Sequence, residues 1–428
     1  MKQLLISTFL ALLVYKSLLG AHPYTRSLNG IDVLQREQYV LLQGKRIGLI
    51  TNHSGQNKDG IPTIDLLAQA KGITLVALFS PEHGIRGEAD SDVGDSVDAK
   101  THLPVYSLYR AAPKRLPNQR NNDYQEMIMR SRGPQLSQLE SIDALVFDIQ
   151  DIGARFYTYA ATLKASLQAA SEAHKDFYVL DRINPISGLF VEGPVLTDPI
   201  NFIGFHHVPI RHGMTLGELA QMMNSECHLG VRLKVISCEN WTRSMWFDQT
   251  GLPWKDPSPA IKTLNAAILY PGLCLMEGTS VSLGRGTTQP FEQIGAPYID
   301  AKALTQALTT LQLPGLAFEA VHFTPTDTLY RGPKTNLKLR NTPCNGVRII
   351  ITDRNKCRSI DLGIHVILEL EKLYPESFKL SSIERFLGDQ KTFDLISSGK
   401  SITEIYSSFS KELEAFNKRR IQYLLYPN

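Results

Sequence analysis

A chain of 428 residues with 43% hydrophobic and 20% charged residues has the composition of a globular protein with a large core, and its length favours two domains over one. The 45 basic and 42 acidic residues leave a formal net charge of +3, far from the strongly basic field that duplex nucleic acid demands, so no nucleic-acid partner is expected. Five widely spaced cysteines, Cys227, Cys238, Cys274, Cys344 and Cys357, offer no CxxC pair for zinc or redox work. A Cys227–Cys238 or Cys344–Cys357 bridge and buried free thiols are about equally expected.

In chain order, Lys2, the apolar run from Leu4 to Tyr15, and then Lys16, Gly20 and Ala21 read as a secretory signal peptide over residues 1–21. The run is shorter than the roughly 20 apolar residues a spanning helix needs. A secreted or periplasmic protein, with no stable membrane insertion after cleavage, is therefore expected.

From Gly44 short β-rich runs alternate with longer helical stretches, the pattern of a mostly parallel sheet covered by helices. Strands are predicted over 46–51, 74–79, 144–149, 177–180 and 233–237, and helices over 61–70, 158–173 and 215–224. This is a Rossmann-like, doubly wound α/β arrangement, assigned to residues 28–260. After Trp254 the texture turns loop-rich. Helices over 301–311, 360–374, 383–387 and 402–423, with a strand over 346–352, define a smaller α+β domain, residues 261–428.

Ligands of doubly wound sheets bind beyond the carboxyl ends of the strands, and here those ends are polar. They read Thr51-Asn52-His53-Ser54, Ser80-Pro81-Glu82-His83-Gly84, Asp148-Ile149-Gln150-Asp151 and Asp181-Arg182-Ile183-Asn184, which points to one site. Glu82, at the tip of an apolar strand, is placed where a carboxyl can be desolvated and so act as a proton donor; a glutamate that bonds loop amides is an equal alternative. Arg155, at a strand-to-helix turn, could grip a substrate carboxylate, or brace the turn against Asp148 or Asp151. The acidic run Glu88, Asp90, Asp92 and Asp95 departs from calcium-loop spacing and reads as a solvated loop. His53, His83, His206, His207 and His212 raise a metal hydrolase, but no His-Glu-x-x-His spacing supports it. Trp241, Trp246 and Trp254 could stack on sugars or simply pack a core. With no Walker lysine, no Gly-x-Gly-x-x-Gly after the first strand and no Gly-x-Ser-x-Gly elbow, neither a nucleotide, another cofactor nor a serine nucleophile is expected.

Taken together, Gly48-Leu49-Ile50-Thr51-Asn52, Phe79-Ser80-Pro81-Glu82-His83-Gly84-Ile85-Arg86-Gly87, Phe147-Asp148-Ile149-Gln150-Asp151 through Arg155-Phe156-Tyr157-Thr158-Tyr159, Arg211-His212-Gly213-Met214-Thr215, Met276-Glu277-Gly278-Thr279 and Gly284-Arg285-Gly286-Thr287-Thr288 resemble the bacterial exo-β-N-acetylmuramidase family over nearly the whole mature chain. The resemblance implies an enzyme that removes N-acetylmuramic acid from the non-reducing end of peptidoglycan fragments, in a cleft between a Rossmann-like domain and a smaller one. It carries the catalytic role onto Glu82. Asp151 or Glu277 is expected as the second carboxylate, and Arg155, Arg182 or Arg285 as the holder of the lactyl carboxylate. Asn52, His83, Arg86, Tyr157 and His212 complete the expected substrate contacts. Three positions depart from the family pattern: Ser80 replaces a glycine, Leu283 a glutamate, and Ala260-Ile261-Lys262 an asparagine-containing stretch. Two rival readings are a metal-dependent cell-wall hydrolase and a non-catalytic peptidoglycan-binding protein.

Overall fold

The strands β1 (Arg46–Thr51), β2 (Thr74–Ser80), β3 (Ser96–Val97), β4 (Pro104–Ser107), β5 (Ala144–Asp148), β6 (Asp176–Leu180), β7 (Glu192–Val195), β8 (Pro209–Arg211) and β9 (Leu233–Ile236) supply the first half of the molecule. Its computed structural model describes residues 25–82, 84–86, 94–117, 119–330, 337–380 and 382–428; the leader read over 1–21, His83, and Glu88, Asp90 and Asp92 of the acidic run lie outside them. Seven strands form one sheet in the order β3-β4-β2-β1-β5-β6-β9, parallel throughout except for the short edge strand β3. The remaining pair, β7 and β8, makes a separate antiparallel ribbon.

Parallel strands covered on both faces read as continuous apolar runs, and β5 (Ala-Leu-Val-Phe-Asp) is buried at every position. The alternation of side chains splits the core in two. Leu49, Leu78 and Val146 pack under the Gly30–Arg36 and Thr63–Gln69 helices. Ile50, Phe79 and Phe147 pack on the other face with the Tyr159–Glu172 and Leu216–Glu226 helices.

The second half builds a three-stranded antiparallel sheet from β10 (Gln293–Ala296), β11 (Leu316–Phe323) and β12 (Cys344–Ile351), in the order β10-β12-β11. Where a loop-rich stretch is expected after Trp254, an apolar helix runs over Leu264–Leu273, with Pro271 and Gly272 in its last turn. Those two residues read as breakers in one dimension. In three, Gly272 crosses the Ser359–Leu373 helix at Gly363, so closely that a Cβ at Gly272 would stand 1.7 Å from the Ser359 carbonyl oxygen; burial of this helix outweighs its weak propensity. The C-terminal segment then returns to the first half, where the Tyr426 hydroxyl donates to Asp181 and accepts from the Cys238 amide at 3.0 Å. All five cysteines are free thiols, four of them buried.

Candidate active site

Ile50 pairs with Phe79 and Thr51 with Asp148, so β1, β2 and β5 end at one level. The chain winds from β1 outward through β2 to β4, then restarts on the other flank of β1 with β5. Winding reverses between β1 and β5, and connections that leave in opposite directions open a crevice there. Asn52, Glu82 and Asp151, each one to three residues beyond a strand, stand around it.

Glu82 is half-buried, and the Thr158 hydroxyl donates to its Oε2 at 2.8 Å. Thr158 occupies the N-cap position of the Tyr159–Glu172 helix without capping it. The hydroxyl that would ordinarily satisfy a helix amide is spent on the carboxylate instead. Among the described residues Glu82 forms no ion pair, and it is not turned into the core. Asn52 accepts from the Ser54 amide (2.9 Å) and hydroxyl (2.6 Å) through Oδ1, while its buried Nδ2 has no acceptor among the described residues.

Asp151 is buried and accepts the Gly153 amide at 2.7 Å through Oδ2; its Oδ1 has no hydrogen-bond partner among the described residues. Burial pushes its carboxyl up to about 7, against the smaller opposing pull of the Gly153 and Ile152 amides. His212 Nε2 lies 4.0 Å away, but burial holds that imidazole down at about 3 and the nearby Arg420 and Arg155 cations push the same way. It is a neutral neighbour rather than an ion-pair partner.

The native state holds the Asp151 proton more tightly than the unfolded chain, whose aspartates titrate near 3.9. The stability this contributes is full below about pH 4 and is lost as pH rises through about 7. Asn at this position keeps an acceptor for the Gly153 amide and cannot ionise. Asp151→Asn is therefore expected to melt with the wild type at pH 4 and several degrees above it at pH 8, a difference on the order of 2–4 kcal/mol. Calorimetry at the two pH values checks this, and equal melting at pH 8 would contradict it.

Tyr157 joins the two halves. Its ring stands 5.0 Å from Tyr159 and 5.6 Å from Tyr270, edge to face in both cases, and its buried hydroxyl, beside Ser258, lacks a well-formed hydrogen bond. Burial, with the Asp151 and Glu82 carboxylates close by, raises the phenol well above its usual range, so it is a neutral donor. Ser258, beside Tyr157, also lines a small pocket with Lys262, Arg285, Thr287 and Tyr330. There Glu277 Oε1 accepts from Arg285 Nη1 at 2.5 Å, the guanidinium sits 5.6 Å from the Tyr330 ring, and Lys338 donates to the Glu277 and Thr279 carbonyls. Glu277 Oε2 and Arg285 Nε remain without partners among the described residues.

Three of the expected cationic contacts are corrected by the fold. Arg155 is fully buried, and its Nη1 and Nη2 donate to the carbonyls of Pro194 (3.0 Å), Val208 (3.1 Å), Phe386 (2.8 Å) and Leu387 (2.7 Å). It pairs with neither Asp148 nor Asp151. Arg182 is buried against Asp148, at 2.5 and 3.0 Å, and the Gln56 carbonyl. Arg86 is committed to Asp98 and Asp65. The tryptophans pack rather than pave: Trp241 and Trp246 are buried, Trp241 lies against Tyr426, Trp254 lies against Phe247, and Trp246 Nε1 donates to Asn355.

Among the described residues the histidines do not converge. His206 Nε2 meets Glu226 at 2.7 Å, His207 Nδ1 meets the Leu196 carbonyl at 2.9 Å and His53 Nε2 meets the Asp256 carbonyl at 2.8 Å. No group of three or more His, Cys, Asp or Glu able to hold a metal occurs among the described residues. Reading the sequence alone misses Thr158, Ser258 and Lys338. Thr158 had a signal, a β-branched hydroxyl between two tyrosines at a helix start next to the catalytic candidates; Lys338 had none.

A half-buried acid held by one hydroxyl, a second carboxyl poised near neutrality, and an arginine-bearing wall across a tyrosine bridge make this an α/β scaffold with a glycosidase-type site. The chain belongs to the exo-β-N-acetylmuramidase NamZ family: the family's N-terminal model matches residues 47–265 and its C-terminal model residues 268–426. It is 41% identical over 403 residues to the peptidoglycan β-N-acetylmuramidase NamZ of Bacillus subtilis (strain 168), covering 93% of this chain and 91% of that protein. Two crystal structures of DUF1343 family proteins from Bacteroides fragilis NCTC 9343 share the fold. One has a TM-score of 0.82 at 35% identity and the other 0.72 at 30%, each covering 94% of this chain and 99% of the other.

Proposed function

We infer that this chain is an exo-acting glycoside hydrolase that releases N-acetylmuramic acid from the non-reducing end of peptidoglycan fragments, and that it does so outside the cytoplasm once the segment over 1–21 is removed. Glu82 protonates the leaving oxygen. Asp151 supplies the second function, drawing a proton from the attacking water or bracing the N–H of a participating 2-acetamido group; a carboxyl titrating near 7 is half in the accepting form at neutral pH. Glu277 is less suited to that role, because one of its oxygens is already committed to Arg285. With Arg155 and Arg182 consumed inside the fold, Arg285 is left to hold the lactyl carboxylate, helped by Lys262 on the same wall.

The observation that carries this reading is a set of buried polar atoms without hydrogen-bond partners among the described residues, Asn52 Nδ2, Asp151 Oδ1, the Tyr157 hydroxyl, Glu277 Oε2 and Arg285 Nε, on residues at the strand ends and across Tyr157 from them. Native folds leave few such atoms, and those left in a group mark where a polar ligand completes the bonding. Incubating the purified mature protein with a muramic acid–glucosamine disaccharide should give free N-acetylmuramic acid and N-acetylglucosamine by mass. Recovery of intact disaccharide, or binding without cleavage, would reduce the protein to a saccharide-binding one.

A further inference from the structure

Beside the cleft a second groove, about 1490 Å³ with its open mouth, is enclosed by one face of the Asn121–Ser131 helix, the loop at 198–203 and the segment 384–390. Its position follows from register. Ser80 of β2 pairs with Ser107 of β4, so Glu82 and Tyr109 each stand two residues past a paired position on neighbouring strands. Arg132 packs on Tyr109 and Phe202, its guanidinium 4.4 and 4.9 Å from the two rings. Two of its nitrogens, Nε and Nη1, are buried without partners among the described residues.

The other end of the groove lies near the residues of the arginine-bearing wall. Arg385 lines it and lies within electrostatic reach of Lys338, which bonds the Glu277 carbonyl. Phe386, the next residue, stacks edge-on against Phe156 at 5.5 Å. The lining between carries the amides of Asn121 and Gln125, and those of Asn201 and Gln390, whose Nδ2 and Nε2 already donate to the Pro199 carbonyl and to Asp394. Primary amides donate and accept at once and suit hydroxyl and acetamido groups, and a guanidinium held flat between rings with unsatisfied N–H groups suits an anionic or carbonyl oxygen.

We propose that this groove seats the leaving strand of the substrate, the sugars beyond the first glucosamine, so that the enzyme acts preferentially on chains longer than a disaccharide. The inference rests on the muramidase reading of the cleft. An exo-enzyme contacts one sugar on the released side, so its gain from a longer substrate must come from the leaving side, where remote contacts are spent on lowering the barrier.

The test compares kcat/KM on the muramic acid–glucosamine disaccharide with that on its tetrasaccharide repeat, for the wild type, Arg132→Met and Gln125→Leu, with melting temperatures recorded for each. The wild type is expected to favour the tetrasaccharide by about tenfold, which corresponds to about 1.4 kcal/mol. Each variant should bring that ratio towards one and leave disaccharide turnover within about twofold of wild type. Equal kcat/KM of the wild type on both substrates overturns the proposal, as does a ratio unchanged in Gln125→Leu, a surface change that keeps the proposal testable should Arg132→Met unfold. Absence of turnover on both substrates refutes the muramidase reading itself, and this inference with it.

Discussion

Glu82→Gln is expected to lower kcat on the muramic acid–glucosamine disaccharide by about 10³-fold, in the middle of the range general acids contribute, with the melting temperature unchanged. Glutamine keeps the acceptor that Thr158 Oγ1 bonds at 2.8 Å, so the loop is held as before; what disappears is the proton. KM should move by less than about threefold, since the lost interaction belongs to the transition state. Steady-state kinetics with a thermal melt of the same preparation measures both. Turnover within tenfold of wild type would remove Glu82 from this role.

Arg155→Met is expected to act in the opposite way, costing about 3–5 kcal/mol of stability and sparing the chemistry in whatever fraction stays folded. The guanidinium ties two carbonyls of the first half, Pro194 and Val208, to two of the second, Phe386 and Leu387. Gly388, with φ +62°, is fitted to it, since a Cβ there would meet Arg155 Nη2 at 2.8 Å. Methionine fills much of the volume but takes the donor from the buried carbonyls of Pro194, Phe386 and Leu387, each with a desolvation cost, while Val208 keeps the Leu196 amide at 3.1 Å. Lysine should fail similarly, because one ammonium cannot span both pairs. Denaturant titration should show a lower midpoint. A midpoint unchanged with a raised KM would return Arg155 to the substrate.

These two arginine-and-glutamate cases show what a linear reading can and cannot reach. The main sheet strands were legible because a parallel strand buried on both faces is a continuous apolar run, and the polar residues closing β1, β2, β5 and β6 marked the edge where ligands bind. Glu82 became a candidate from its place on that edge, where a loop-bonding glutamate was an equal reading, and the family resemblance carried the catalytic role onto it. The arginines did not separate so easily: Arg155, Arg182 and Arg285 all sit at element ends beside acids or glycines, and only the distant carbonyls of Phe386 and Leu387, or the Asp148 carboxylate, decide which are consumed internally.

Other misses share that origin. The Asn121–Ser131 helix buries only Met129 and is polar on average, so no apolar stretch announces it. The Leu264–Leu273 helix hides behind Pro271 and Gly272, whose use depends on Gly363 ninety residues later. Strand β11 is half-exposed along its length and gains its place from pairing with β12, not from its own pattern. The departure at Leu283 proves to be a core position, buried with Phe291 and Ile294, while Lys262 of the altered 260–262 stretch lines the cavity.

The claim that a proton leaves Glu82 for the departing sugar is tested most directly by comparing two muramic acid glycosides. One carries a leaving group acidic enough to depart unaided, such as dinitrophenolate, and the other carries glucosamine. Glu82→Gln should cleave the first at a rate within about tenfold of wild type and the second about 10³-fold more slowly. Equal losses on both substrates would mean that Glu82 does something other than donate that proton.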